Sequence, residues 1–110
     1  GDFTGDGKPD AATADYFGNT VSVLVNDGFG GFLPPLTLNA GTAPAGIFAG
    51  DIDNNGTLDI VTADQASDTV SVFVNFGGGV FAPARTPMIR RRRGNRSIAR
   101  TARAATRRRS

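Results

Sequence analysis

The chain has 110 residues, with 12 basic and 10 acidic side chains and a formal net charge of +2, a length that suffices for one small domain. It contains neither Cys nor His, which excludes disulfides, thiolate metal sites, iron–sulfur clusters, imidazole triads and histidine pH switches. Glu is also missing, so acid–base chemistry would fall to Asp, Lys8 or Tyr16, and no apolar run approaches the ~20 residues of a membrane span.

The charges are segregated. All ten acids are Asp, and up to Ala84 the one base is Lys8, a net of −9. From Arg85 to Ser110 there are eleven Arg and no acid, a net of +11. The chain does not begin with Met and shows no signal peptide. It therefore reads as an internal or processed piece, in which missing targeting signals say nothing about compartment.

The first element is an acidic loop, Asp2-Phe3-Thr4-Gly5-Asp6-Gly7-Lys8-Pro9-Asp10. Residues 10–15 follow as a short strand. Residues 20–26 alternate, with Val21, Val23 and Val25 on one face and Ser22 and Leu24 on the other, the period-two pattern of a sheet strand. A Gly-rich turn spans 26–31. Residues 32–39 form another strand, placed at an edge by Pro34 and Pro35, and 46–50 a short one. It leads into a second acidic loop, Asp51-Ile52-Asp53-Asn54-Asn55-Gly56-Thr57-Leu58-Asp59. Strands are then expected over 59–64 and 69–75, with Val70, Val72 and Val74 on one face, and, after a turn at 75–79, over 81–87. No stretch before Arg90 has helical periodicity.

The order repeats itself. A shift of 49 positions lays residues 1–37 on 50–86 without a gap, and 18 of the 37 positions are identical. The runs Thr13-Ala14-Asp15, Thr20-Val21-Ser22-Val23 and Val25-Asn26 all recur. Four short strands per repeat of about 50 residues fit a propeller blade. The expected architecture is all-β: two tandem four-stranded blades, the first without its leading strand. The division is 1–49, 50–87 and an Arg-rich tail at 88–110. Two blades cannot close a ring of at least ~4, so further repeats or other copies of the chain are the expected partners.

Both acidic loops read D-x-(D/T)-x-(D/N)-G-x-x-D. Oxygen side chains at positions 1, 3 and 5 converge when the chain wraps around a point, and Gly at position 6 permits the sharp turn. A backbone carbonyl at position 7 adds a ligand and the closing Asp caps the site. The candidate metal ligands are thus Asp2, Thr4, Asp6, Lys8 and Asp10 in the first loop, and Asp51, Asp53, Asn55, Thr57 and Asp59 in the second. An all-oxygen, carboxylate-rich set points to Ca²⁺ rather than zinc or copper. Position 12 holds Thr13 or Thr62 in place of the bidentate Glu of an EF-hand. Thr4 is the weakest donor, so the first loop is expected to bind less tightly. Asp15 and Asp64 end strands and hold turns, and the phenylalanines are expected in core and inter-blade packing. No carboxylate pair lies outside the loops to serve catalysis.

With these motifs, residues 1 to about 87 resemble FG-GAP/VCBS repeats, the blades of integrin-α-like β-propellers. Phe17-Gly18 and Thr42-Ala43-Pro44 stand where that family has its FG and GAP-like elements, whereas the second copy has Ala66-Ser67. The resemblance implies a Ca²⁺ loop between the first and second strands of each blade. It also implies an extracellular or cell-surface, non-catalytic module for adhesion or for binding a protein or carbohydrate ligand. An accessory propeller of a secreted enzyme is an alternative.

A third repeat would place Asp at 100 and 108, where Arg100 and Arg108 stand. The tail has three readings: a solvated basic extension, a frame-shifted gene end, and an arm for nucleic acid or an anionic surface. The last is disfavoured because no aromatic follows Phe81 for base stacking. Ile98, Ala102 and Ala105 share helical spacing, so the tail is expected disordered or partly helical. It can also pair with the acidic loops of its own chain in a salt-sensitive way.

Overall fold

A computed structural model of the protein describes residues 1–85. The tail at 88–110 and the end of the strand expected over 81–87 lie outside the described residues. The described part is all-β, with six strands in the order β1 (Ala11–Asp15), β2 (Thr20–Leu24), β3 (Leu36–Asn39), β4 (Pro44–Gly50), β5 (Asp59–Asp64) and β6 (Thr69–Phe73). They form two three-stranded antiparallel sheets, β1-β2-β3 and β4-β5-β6. β1 and β4 lie against one another between the sheets.

Three strands in the first sheet agree with the expected blade without its leading strand, and three of the four expected in the second lie among the described residues. The first sheet opens on β1, whose counterpart in the second sheet is preceded by β4. The position of the missing partner is marked by Gly1 and Asp10, which exchange backbone hydrogen bonds of 2.6 and 3.1 Å, as Gly50 and Asp59 pair at the foot of β4 and β5. In the second sheet the described residues end at the start of the fourth strand, with a bridge between Val72 and Arg85, the register equivalent of Val23 and Leu36. The strand expected over 32–39 is also interrupted. A bridge joins Asn26 to Phe32, but pairing resumes only at Leu36, because Pro34 and Pro35 have no N–H to donate.

Each hairpin is fastened by one aspartate. Asp64 accepts hydrogen bonds from the hydroxyls of Thr62 (2.9 Å), Thr69 (2.9 Å) and Ser71 (2.6 Å). Asp15 does the same with Thr13, Thr20 and Ser22. Partial burial raises the Asp15 pKa, but the bonds from Ser22, Thr13 and Thr20 outweigh it and the net direction is down. Asn19 and Asp68 take equivalent places in the turns with positive φ of 58° and 55°, a conformation their short polar side chains tolerate. Gly41 closes over the second hairpin and donates its N–H to Ser71 Oγ. A Cβ there would come within 2.6 Å of Asp64 Oδ2, so the approach requires glycine.

The core lies between the two repeats. It consists of Phe3 from the first loop, Val21 and Val23 of β2, Ile60 of β5 and Phe73 of β6, with Leu38, Leu58 and Phe81 packed around them. In β2 the alternation places the valines inside. In β6 the opposite face is covered: Ser71 and Phe73 are buried, whereas Val70 and Val72 are half-buried. The reason is translational stacking. The valine face of the first sheet meets the opposite face of the second, so the second valine face is turned outward.

This asymmetry makes identical substitutions unequal. Asp64 is 2 % exposed and its loss strands three buried or half-buried hydroxyls, so Asp64→Ala is expected to cost about 2–4 kcal/mol. Asp15→Ala, at the half-buried equivalent, is expected to cost about 1 kcal/mol. Denaturant titration of the two variants checks the difference.

Candidate metal centre

Each acidic loop is shaped by its own aspartates. In the first, Asp2 accepts from the backbone amides of Gly5 and Gly7, both at 2.8 Å, and from Thr4 Oγ1 at 3.3 Å. Asp6 accepts from the amide of Lys8 at 2.9 Å. Asp10 bridges, taking the Phe3 amide on Oδ2 (2.9 Å) and the Asn26 amide on Oδ1 (2.8 Å). The second loop repeats the scheme. Asp51 accepts from Asn55 (3.0 Å) and Gly56 (2.8 Å), and Asp59 accepts from Ile52 (2.9 Å) and Asn75 (2.8 Å).

The wrap demands left-handed backbone at two positions per loop. Gly5 and Gly7 have φ of 83° and 86°, and Asn54 and Gly56 have 61° and 92°. Glycine at position 6 was legible as a turn residue. Position 4 is the second such point, and Asn54 can occupy it because Asn visits this region at low cost.

The loops differ in what they gather. In the second, carboxylate oxygens of Asp51, Asp53 and Asp59 all lie within 4.8 Å of one another, with Asp51 and Asp53 exposed and Asp59 buried. Among the described residues it is here that three carboxylates meet. The first loop has Thr4 in the place of Asp53. Lys8 and Thr57 stand at the seventh positions, with their amides donated to Asp6 and Asn55. Asn55 is turned toward the end of β6: its Nδ2 donates to the Asn75 carbonyl at 3.0 Å, and its Oδ1 accepts from Thr57 Oγ1 at 2.8 Å.

Asn75 and its copy Asn26 had no role assigned from sequence. Asn75 is fully buried, donates through Nδ2 to the carbonyls of Leu58 (2.9 Å) and Phe3 (2.8 Å), and accepts from Gly77. It ties the second loop to its own sheet and to the first loop. Asn26 bonds Pro9 O and the Gly28 amide in the same way. The signal was present as the recurring Val-Asn pair at the end of each valine strand.

Electrostatics separate the second-loop carboxylates. The Gly56 amide, opposed by desolvation, holds Asp51 below the ordinary Asp value, and Gly7 does the same for Asp2. Asp53 moves the other way. Desolvation in the loop, then the charge of Asp59, then hydrogen bonds that favour a proton on Asp53, push its pKa up. The crowding therefore opposes full ionisation, the condition that a cation among hard oxygen donors relieves.

The family model of the FG-GAP-like repeat matches residues 2–62, from the opening of the first loop through the whole of the second. No curated protein and no solved structure matches the chain.

The sign for Asp53 is fixed by its direction of shift. Its folded pKa lies above the unfolded one, so ionisation is penalised in the fold. The penalty is absent below the ordinary Asp value and complete above the raised one. Asp53→Asn is expected to raise the melting temperature of the chelator-treated protein at pH 7. The gain should fade as pH falls through the carboxylate range, and a pH series of thermal melts reads it.

Proposed function

The chain belongs to the FG-GAP-like repeat family, and on that premise we propose that it is a calcium-binding, non-catalytic propeller module of the extracellular space or cell surface, serving adhesion or ligand binding. The observation that carries the calcium reading is the convergence of Asp51, Asp53 and Asp59 in a loop whose backbone amides already hold it in shape. The donor set fits the ion: hard oxygens, carboxylate-rich, with no nitrogen or sulfur ligand. The ion would be held by Asp51, Asp53 and Asp59, with Asn55 and Thr57 completing the set proposed from sequence. When bound, it supplies positive charge that offsets the mutual repulsion of the carboxylates. The rest is done by the chain: Asp59 fixes the loop to the end of β6, and Asn75 fixes that end to the neighbouring loop. The first loop, with Asp2, Thr4, Asp6, Lys8 and Asp10, is the weaker site.

The family match supports a non-catalytic role and an extracellular setting. The carboxylates that meet are those of the loop, and the other paired aspartates, Asp15 and Asp64, are committed to hydroxyls. Among the described residues no helix is long and apolar enough to cross a membrane.

Asp53 is the residue on which to test calcium, because it is exposed, whereas truncating buried Asp59 would strand the amides of Ile52 and Asn75. Calorimetric titration of the full chain with calcium is expected to show saturable binding that Asp53→Asn weakens by about tenfold or more. An unchanged affinity in that variant would remove the second loop as the site.

A further inference from the structure

The 49-residue repeat allows the exposure of each residue to be compared with that of its copy. The comparison separates two faces. On the second sheet, Ile60, Thr62, Ser71 and Phe73 are each 0 % exposed. Their copies on the first sheet are not covered: Ala11, Ser22 and Leu24 are half-buried and Thr13 is exposed. On the first repeat, Phe3, Val21 and Val23 are 2 %, 0 % and 1 % exposed. Their copies on the second are Ile52, at 50 % exposed, and the half-buried Val70 and Val72.

The joint inside the chain thus unites a valine face of one repeat with the Ile60/Phe73 face of the next. Among the described residues, the outer face of each repeat then carries the other half of the same joint. The Ala11/Ser22/Leu24 face stands on the outer side of the first sheet and the Ile52/Val70/Val72 face on the outer side of the second repeat. Successive side chains in a strand point to opposite sides of the sheet, so the halves face away from each other and cannot meet within one copy. Both keep apolar side chains at the positions of the faces that do meet: Val70 and Val72 are identical to Val21 and Val23, Ile52 stands for Phe3, Leu24 stands for Phe73, and the smaller Ala11 stands for Ile60.

We propose that a second copy of this chain docks head to tail, its Ala11/Ser22/Leu24 face seated on the Ile52/Val70/Val72 face of the first, repeating the joint between the two repeats. The inference rests on the repeat reading alone and does not require calcium. Such a contact is heterologous, so it continues until the rotation per repeat closes a ring. With about 4–8 blades in a ring, closure takes roughly two to four copies.

The test is sedimentation equilibrium of the full chain in 0.5 M salt, a condition that suppresses attraction between the Arg-rich tail and the acidic loops. It is run with calcium and again with chelator. Wild-type protein is expected as a defined assembly of two to four copies. Leu24→Asp and Val72→Asp, each blocking one face, are expected to be monomers with the wild-type β spectrum. Their mixture is expected to form a one-to-one dimer and stop, since one intact face of each kind remains. Should either variant lose the β spectrum, Ala11→Lys and Val70→Lys repeat the test from neighbouring positions. A folded wild-type monomer up to the solubility limit would overturn the proposal and leave the two faces to another partner. Assembly that persists in the single variants, or a mixture that stays monomeric, would overturn it as well. Calcium binding without assembly would fail this inference while sparing the functional reading; assembly without calcium binding would do the reverse.

Discussion

The closing aspartate of each acidic loop joins three pieces of chain with one carboxylate. Asp59 starts β5, receives the Ile52 amide from the loop on one oxygen and the Asn75 amide from the end of β6 on the other. Asp10 makes the same two bonds with Phe3 and Asn26. A carboxylate that accepts from two backbone amides satisfies donors that would otherwise be costly to bury. The bond also fixes the loop relative to the sheet. From that fixture follow the placement of Asp51 and Asp53 beside Asp59, the burial of Phe3 in the core, and the reach of Asn75 to the Phe3 carbonyl across 72 positions of sequence.

The polar interior is the counterpart of a small apolar core. Five side chains form the buried cluster, while Asp59, Thr62, Asp64, Ser71 and Asn75 are buried with hydrogen-bond partners. Buried polar networks specify one arrangement when every member is satisfied and cost much when one is removed. All five belong to the second repeat, whose face is covered by the first. Of their copies in the first repeat, Asp10 is buried as well, whereas Thr13, Asp15, Ser22 and Asn26 are exposed or half-buried. For the residues that the two repeats share, burial and not residue type separates the copies.

Much of this was legible in the chain. The duplication of Thr-Val-Ser-Val, the Asp and Gly positions of the loops and the strand alternation are local signals, and all six strands fall where the pattern places them, within a few residues. What failed was long-range. The inside face of β6 could not be read from Val70 and Val72, because alternation says that one face is buried and not which one; stacking decided for Ser71 and Phe73. An edge strand tolerates one missing N–H, but the adjacent Pro34 and Pro35 remove two, and pairing breaks between Phe32 and Leu36. Asn75 escaped because its partners, Leu58 and Phe3, are distant in sequence. Among the candidate site residues, the meeting of Asp51, Asp53 and Asp59 follows from positions 1, 3 and 9 of the loop. The orientation of Asn55 toward Asn75 depends on where β6 ends.

The cation site proposed in the second loop is one whose shape Asp59 holds. The most direct measurement is a residue-resolved one: amide nuclear magnetic resonance spectra of the full chain during calcium addition. The account predicts saturable shifts concentrated in residues 51–59 and at Asn75, with a weaker response in residues 2–10. Spectra of a folded chain that do not change with calcium, or that change without involving residues 51–59, would contradict it.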